Sequence, residues 1–253
     1  MLTKTITEEI NAAIRAAGDI ILNADRTTET VESKEGHANF VTSYDKAVQE
    51  MLKKRLLEIL PGAVFVGEEE DVHAQIKDGY SFIVDPIDGT TNFIRDMHCS
   101  TTSIGLLFNG EPVYAAIYNP YLGELYTAKK GEGAFLNGQP IHVSDKPLSE
   151  SIILFGTSPY YPDLAKKGFE LLINLFSRAL DVRRFGSAAY DLCMVAAGRA
   201  ELFFEMQLSP WDYAAGSLIV SEAGGAVTQI DGTPLSFGHP CSVLARGRTD
   251  EKI

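Results

Sequence analysis

The stretch Asp85-Pro86-Ile87-Asp88-Gly89-Thr90-Thr91-Asn92-Phe93 carries the densest chemistry in the chain. It follows an apolar run, residues 81–84, of strand length. Pro86 has no N–H to donate and is expected to end the sheet pairing there, and Asp88-Gly89 marks a tight turn. Two carboxylates three positions apart at the end of a buried strand can converge on one point. The Ile87 carbonyl lies between them without a ladder partner. Carboxylate and carbonyl oxygens form the ligand set of a hard cation such as Mg²⁺. Beyond the turn, the N–H groups of Gly89 and Thr90 could open a helix or nest and receive an anion, and Thr90 and Thr91 add hydroxyls. A lone Asp-Gly turn is usually only a turn and a helix cap; the whole nonapeptide argues for more.

A second acidic cluster, Gly67-Glu68-Glu69-Glu70-Asp71, also follows an apolar run. Glu70 and Asp71 read as a solvated turn, whereas Glu68 is placed to reach the same ion from a neighbouring strand end. A third piece is Trp211-Asp212-Tyr213-Ala214-Ala215-Gly216, where Asp212 sits at the start of a helix. Capping and ion binding are equally good readings of Asp212 from these residues alone. The five histidines are scattered, with no HExxH spacing of a zinc hydrolase. The three cysteines, Cys99, Cys193 and Cys241, are odd in number and widely spaced, which fits neither a disulfide framework nor a zinc site.

Composition bounds the partners. The 253 residues carry a formal charge of −12, which repels phosphate backbones and anionic lipid, so binding to nucleic acid or membrane is not expected. No apolar run approaches the ~18 residues of a membrane span, and the N-terminus lacks a signal-peptide pattern, so the expected compartment is the cytoplasm.

The elements that must position these residues follow from periodicity. Ile6, Ile10, Ala13, Ile14, Ala17, Ile20 and Ile21 recur at helical spacing, with Thr5 as the cap and Glu8 closing a capping box. Residues 31–41 read as a loop. A second helix starts at Ser43 or Asp45, turns Ala47, Met51, Leu56 and Ile59 inward, and stops at Pro61-Gly62. Residues 63–66 and 81–84 are strands. An antiparallel meander runs from 99 to 143, punctuated by Asn109-Gly110, Asn119-Pro120, Gly131 and Asn137-Gly138. Then follow a strand at 152–155, a helix at 163–180 with Leu164, Phe169, Leu172, Ile173 and Phe176 as its apolar residues, helices at 188–197 and 211–223, and strands at 200–206, 226–230 and 242–245. The class is α/β, in two subdomains, 1–145 and 146–253, packed as one unit with a cleft between them.

Gly67-Glu68-Glu69, the nonapeptide 85–93, and Trp211 to Gly216 with Glu222-Ala223-Gly224-Gly225 behind it together resemble the inositol monophosphatase family of Mg²⁺-dependent, lithium-sensitive phosphatases. The resemblance covers nearly the whole chain and implies a layered αβαβα sandwich and a homodimer. It implies one ion on Glu68, Asp85 and the Ile87 carbonyl, a second on Asp85, Asp88 and Asp212, and a third, weaker one near Glu68. Thr90 and Asp45 match the pair that positions the attacking water. Lys34 stands at the place of the mobile-loop lysine. Asp88, Gly89, Thr90, Gly186, Ser187, Ala188, Glu205 and Asp212 match the substrate-binding region. These motifs hold no Ser/His or Cys/His nucleophile pair, so the expected reaction is attack by a metal-bound water, oriented by Glu68 and the Thr90–Asp45 pair, with no phospho-enzyme.

Relatives with this metal core cleave inositol phosphates, fructose 1,6-bisphosphate, histidinol phosphate, NADP or 3′-phosphoadenosine phosphates. Residues 188–193 and Glu205 look most like the inositol phosphate branch, because a carboxylate accepts hydrogen bonds from a polyol's hydroxyls. Tyr190 and Asp191 stand where the nucleotide branch usually has a lysine. The small phosphorylated polyol is therefore the expected partner, and a regulatory protein-binding role on the same fold is the rival.

Overall fold

The computed structural model describes residues 2–25, 31–33, 40–69, 76 and 78–248. Its architecture is mixed α/β, five layers deep, with two sheets separated by a central pair of helices and covered by helices on their outer faces.

The first outer layer is α1 (Lys4–Leu22) and α2 (Ser43–Ile59). Thr3, not Thr5, caps α1 by accepting the Ile6 N–H. The apolar stripe Ile10, Ala13, Ile14, Ala17 and Ile21 is buried as its spacing requires. Gly18 lets α1 approach the first sheet, since a Cβ there would lie 2.4 Å from the Tyr118 ring. Between α1 and α2 the expected loop contains paired strand instead: β1 (Val31–Ser33) and β2 (Phe40–Thr42) are antiparallel. In α2 the inward face is Val48, Leu52 and Leu56, with Asp45 and Gln49. Ala47 is exposed and Met51 and Ile59 are half-buried. The face is rotated because it must enclose two polar side chains that serve the site.

The seven-stranded sheet runs β3 (Val64–Gly67), β4 (Tyr80–Asp88), β5 (Thr101–Phe108), β6 (Glu111–Asn119), β7 (Glu124–Lys129), β8 (Gly133–Leu136) and β9 (Gln139–Pro140), each beside the next. Only β3 and β4 are parallel; the rest is the expected meander. Alternate residues of β4 serve opposite faces: Phe82 and Val84 pack with α1 and α2, and Ile83 packs toward Ala214. Both faces are covered, so the strand reads as a continuous apolar run. Pro86 does not end β4. The ladder with β5 shifts register between Asp85 and Asp88 and resumes at Asp88–Thr101. A bulge absorbs the missing donor and keeps both acids on one strand.

The central layer is α5 (Ala188–Ala196) and α6 (Pro210–Glu222). Gly216 brings them close, for a Cβ there would lie 2.4 Å from Leu192 Cδ1. The second sheet has the order β11 (Asp181–Arg183), β10 (Ile152–Phe155), β12 (Leu202–Leu208), β14 (Cys241–Arg246), β13 (Ala226–Thr228). Its outer face takes α4 (Pro162–Phe176), mainly through Leu175, Leu171 and Leu172. α4 stops short of Leu180. Of the apolar residues read in this helix, Ile173 and Phe176 are exposed, and Phe169 is partly exposed while its ring meets that of Phe155 edge-on.

Candidate active site

The cleft opens where β4 ends, α6 begins and α5 begins. Its volume is about 540 Å³, and its walls include Glu68, Asp85, Asp88, Asp191, Glu205 and Asp212. Carboxylate oxygens of Asp85, Asp88 and Asp212 lie within 4.8 Å of one another. Like charges so close and so buried resist ionisation together. Burial, then the charge of Glu68, then those of Asp88 and Asp212, push Asp85 well above the usual carboxylate range. Burial, then Asp88 and Glu68, do the same to Asp212. Asp88 is also raised by burial, but hydrogen bonds oppose the shift.

Each acid is fixed by its own local structure. Asp212 Oδ2 accepts the Ser209 N–H at 2.7 Å in the capping box of α6, so capping and membership of the acid cluster coexist. Asp88 reaches across to α5. Its Oδ2 accepts the Ser187 hydroxyl at 2.6 Å and the Ala189 N–H at 2.7 Å, and its Oδ1 accepts the Ala188 N–H at 3.2 Å. A residue from one sheet thus satisfies the orphan donors of a helix in the next layer. The hydroxyl of Ser187 and the N–H of Ala188, expected on substrate, are engaged by Asp88. Asp85 is different. Its Oδ1 is buried with no hydrogen-bond partner among the described residues, a costly state that a bound cation relieves. Three convergent carboxylates, one with an orphaned oxygen, fit a divalent cation with a preference for oxygen ligands.

Glu68 lies outside the three-acid group but lines the same cleft. The turn that carries it is held by Gln49 of α2, whose Oε1 accepts the Glu69 N–H at 2.9 Å. Gly67 makes room for that amide, since a Cβ would sit 2.3 Å from Gln49 Oε1.

Gly89 adopts φ 87°, the left-handed cap of the one-turn helix α3 (Thr90–Ile94). Thr90 Oγ1 lies 3.3 Å from Asp45 Oδ1 and 3.2 Å from the Ile87 carbonyl oxygen. Asp45 is fully buried. Its Oδ2 accepts the Thr42 N–H at 2.8 Å, closing the capping box of α2. One carboxylate therefore anchors a helix with one oxygen and the Thr90 hydroxyl with the other.

Glu205 lines the same cleft. Its Oε1 accepts the Ser158 N–H at 2.7 Å. Burial pushes its pKa up to about 7, with the Asp88 charge adding to the shift and the Ser158 hydrogen bonds and Arg184 opposing it. Lys34 lies outside the described residues.

Sequence reasoning missed several positioning groups. Asn92 Nδ2 donates to the Cys99 and Phe185 carbonyls at 2.7 and 2.8 Å, tying α3 to the segment before α5. Asp191, buried beside the cleft, is raised by burial and then by Asp88 and Glu205. Gln49 and Ser158 belong to this group as well. Asn92 stood inside the nonapeptide, so its position was signalled; Gln49 and Ser158 lie in ordinary sequence and had no such signal.

The sequence model of the inositol monophosphatase family matches residues 2–253. The chain belongs to the inositol monophosphatase family. It is 39% identical over 226 residues to the Salmonella typhimurium protein named Nus factor SuhB, covering 87% of this chain and 83% of that one. It is 36% identical over 235 residues to inositol-1-monophosphatase of Bacillus subtilis, covering 92% and 88%. The crystal structure of extragenic suppressor protein suhB from Bartonella henselae superposes with a TM-score of 0.89 at 33% identity, covering 96% of this chain and 94% of that one. Family membership and the acid cluster together make this chain a metal-dependent phosphomonoesterase of that superfamily. No helix among the described residues is long and apolar enough to cross a membrane.

Proposed function

We propose that the chain hydrolyses inositol 1-phosphate and related polyol monophosphates with Mg²⁺. The observation that carries this reading is one cleft lined both by the Asp85, Asp88 and Asp212 cluster and by the buried carboxylate of Glu205. One can neutralise a phosphoryl group and the other can accept a polyol's hydroxyls.

Asp85, Asp88, Asp212, Glu68 and the Ile87 carbonyl would hold two to three Mg²⁺. When bound, such ions neutralise phosphoryl oxygens, acidify water and stabilise a leaving alkoxide. The acids themselves cannot attract a dianion; their work is to fix charge of the opposite sign. Glu68 and Thr90 Oγ1, the latter held by Asp45, orient the attacking water. Gly89 and Thr90 offer backbone N–H groups to the phosphoryl oxygens, and Glu205 takes the substrate's hydroxyls. The Gly186, Ser187 and Ala188 segment acts through Asp88, which it grips. Lys34 is the proposed loop cation. The family resemblance adds a cytoplasmic homodimer and inhibition by lithium to this reading.

The experiment is phosphate release from a panel of monoesters, with Mg²⁺ and with EDTA. Inositol 1-phosphate is expected to lead, with activity lost in EDTA. A specificity constant far higher for fructose 1,6-bisphosphate, histidinol phosphate or an adenosine bisphosphate overturns the substrate reading. Trapping a phosphorylated Asp or Ser during turnover overturns the direct attack by water. The likeness to a protein named Nus factor SuhB favours a second reading, a regulatory protein-binding role on this fold. Failure to hydrolyse any member of the panel would support it.

A further inference from the structure

Glu205 sits at the irregular end of β12, where the pairing with β14 shifts register between Glu205 and Leu208. The adjacent parallel strand β10 ends at Phe155, and the chain continues through Gly156 to Ser158. Gly156 N–H donates to the Phe204 carbonyl at 2.9 Å, so the sheet continues one residue past β10. At this point the Glu205 side chain folds back over the Gly156 backbone. A Cβ on Gly156 would lie 1.8 Å from Glu205 Oε2 and 2.0 Å from its Cδ, well inside contact distance. The carboxylate occupies the volume that any other residue at 156 would fill. Both Glu205 hydrogen bonds among the described residues fall on Oε1, from the Ser158 N–H and hydroxyl. The Ser158 hydroxyl oxygen also accepts the Gln207 N–H at 3.2 Å, which locks the loop to the bulge.

We propose that Gly156 is the positioning residue of the substrate's hydroxyl site: its missing side chain is the seat that holds the Glu205 carboxylate against the cleft wall. The seat fixes one carboxylate oxygen on Ser158 and leaves the other for a ligand hydroxyl. Discrimination between a polyol ester and a bare phosphate ester then depends on a residue that touches no substrate. This rests on the reading of Glu205 as the acceptor of substrate hydroxyls.

The experiment compares Gly156→Ala, Glu205→Ala and the double variant on two substrates with Mg²⁺: inositol 1-phosphate and p-nitrophenyl phosphate, which has no hydroxyls to offer. Gly156→Ala is expected to raise KM for inositol 1-phosphate about tenfold, the cost of one misplaced charged hydrogen bond. Its kcat, and both constants for p-nitrophenyl phosphate, stay within about twofold of wild type. Glu205→Ala gives the same rise, and adding Gly156→Ala to it changes nothing further, because the clash has gone. An unchanged KM, an equal loss on both substrates, or a full additional loss in the double variant overturns the proposal.

A second readout needs neither substrate nor metal. The carbon-13 signal of the Glu205 carboxyl reports its titration in a setting that includes Arg184, Asp88, Asp191 and Asp212. In Gly156→Ala the displaced carboxylate is expected to titrate lower, toward an ordinary glutamate. If the wild-type enzyme ignores inositol 1-phosphate, the substrate reading fails while this titration still decides the seat. An unshifted titration overturns the seat itself.

Discussion

The Ser187 hydroxyl donates to Oδ2 of Asp88 at 2.6 Å across 99 positions of sequence. This bond, with the Ala188 and Ala189 N–H groups, makes Asp88 both a member of the acid cluster and the cap of α5. Order in the central helix layer and order in the acid cluster are therefore the same property.

Ser187→Ala tests this coupling. The variant keeps the two backbone donors but loses the strongest restraint on Oδ2. Calorimetric titration is expected to show Mg²⁺ affinity weaker by about tenfold, the usual scale for a partner that orients a ligand. Thermal stability should fall by about 1 kcal/mol. Unchanged affinity would mean that the backbone donors suffice.

Asp85→Asn removes the acid with the orphaned oxygen. Activity should fall below detection with the circular dichroism spectrum unchanged. In EDTA the variant should be more stable than wild type, since one buried repulsive charge is gone. Turnover near the wild-type rate would refute the assignment of this site.

Thr90→Val and Asp45→Asn separate chemistry from capping. Thr90→Val removes only the hydroxyl and should lower kcat by about 10²-fold or more, the range for a group that positions a proton, with little change in melting temperature. Asp45→Asn should lower kcat and also cost about 1 kcal/mol, because Asp45 closes the capping box of α2. Equal loss of stability in both would argue against a special role for Thr90.

The pKa of Glu205 sets a pH window. Burial raises it from 4.5 to about 7, so between those values the folded state binds a proton that the unfolded state has released. Stability therefore falls as pH rises through this window, and the full penalty is present above pH 7. Glu205→Gln removes this pH dependence. Urea unfolding in EDTA should show the variant gaining on wild type from pH 4.5 to pH 8, by at most about 3 kcal/mol. A constant difference across that range would show that Glu205 titrates normally in the fold.

The metal-binding chemistry was legible because it is written in contiguous runs. Strand followed by acid, proline and glycine fixes where a chain turns and which oxygens it leaves at the turn, and the meander was announced by its turn residues. The phase of α2 was not legible. Hydrophobicity alone would turn Ala47 inward, whereas Asp45 and Gln49 are held inside by partners from other segments, Thr90 and the Glu69 N–H. Pro86 likewise reads as a strand end, yet Asp88 re-enters the ladder opposite Thr101 because a bulge skips the missing donor. The outward face of α4 could not be foreseen, since periodicity gives an apolar stripe but not the neighbour that covers it.

By itself the sequence determined which groups could bind an ion and in what local geometry, because those contacts span a few residues of backbone. Only the tertiary structure decided that the segment expected on substrate grips Asp88 and that Glu205 fills the space above Gly156. Each of these joins atoms about 50 to 100 positions apart. Such meetings are set by how the layers stack, and residue type and spacing carry no record of them.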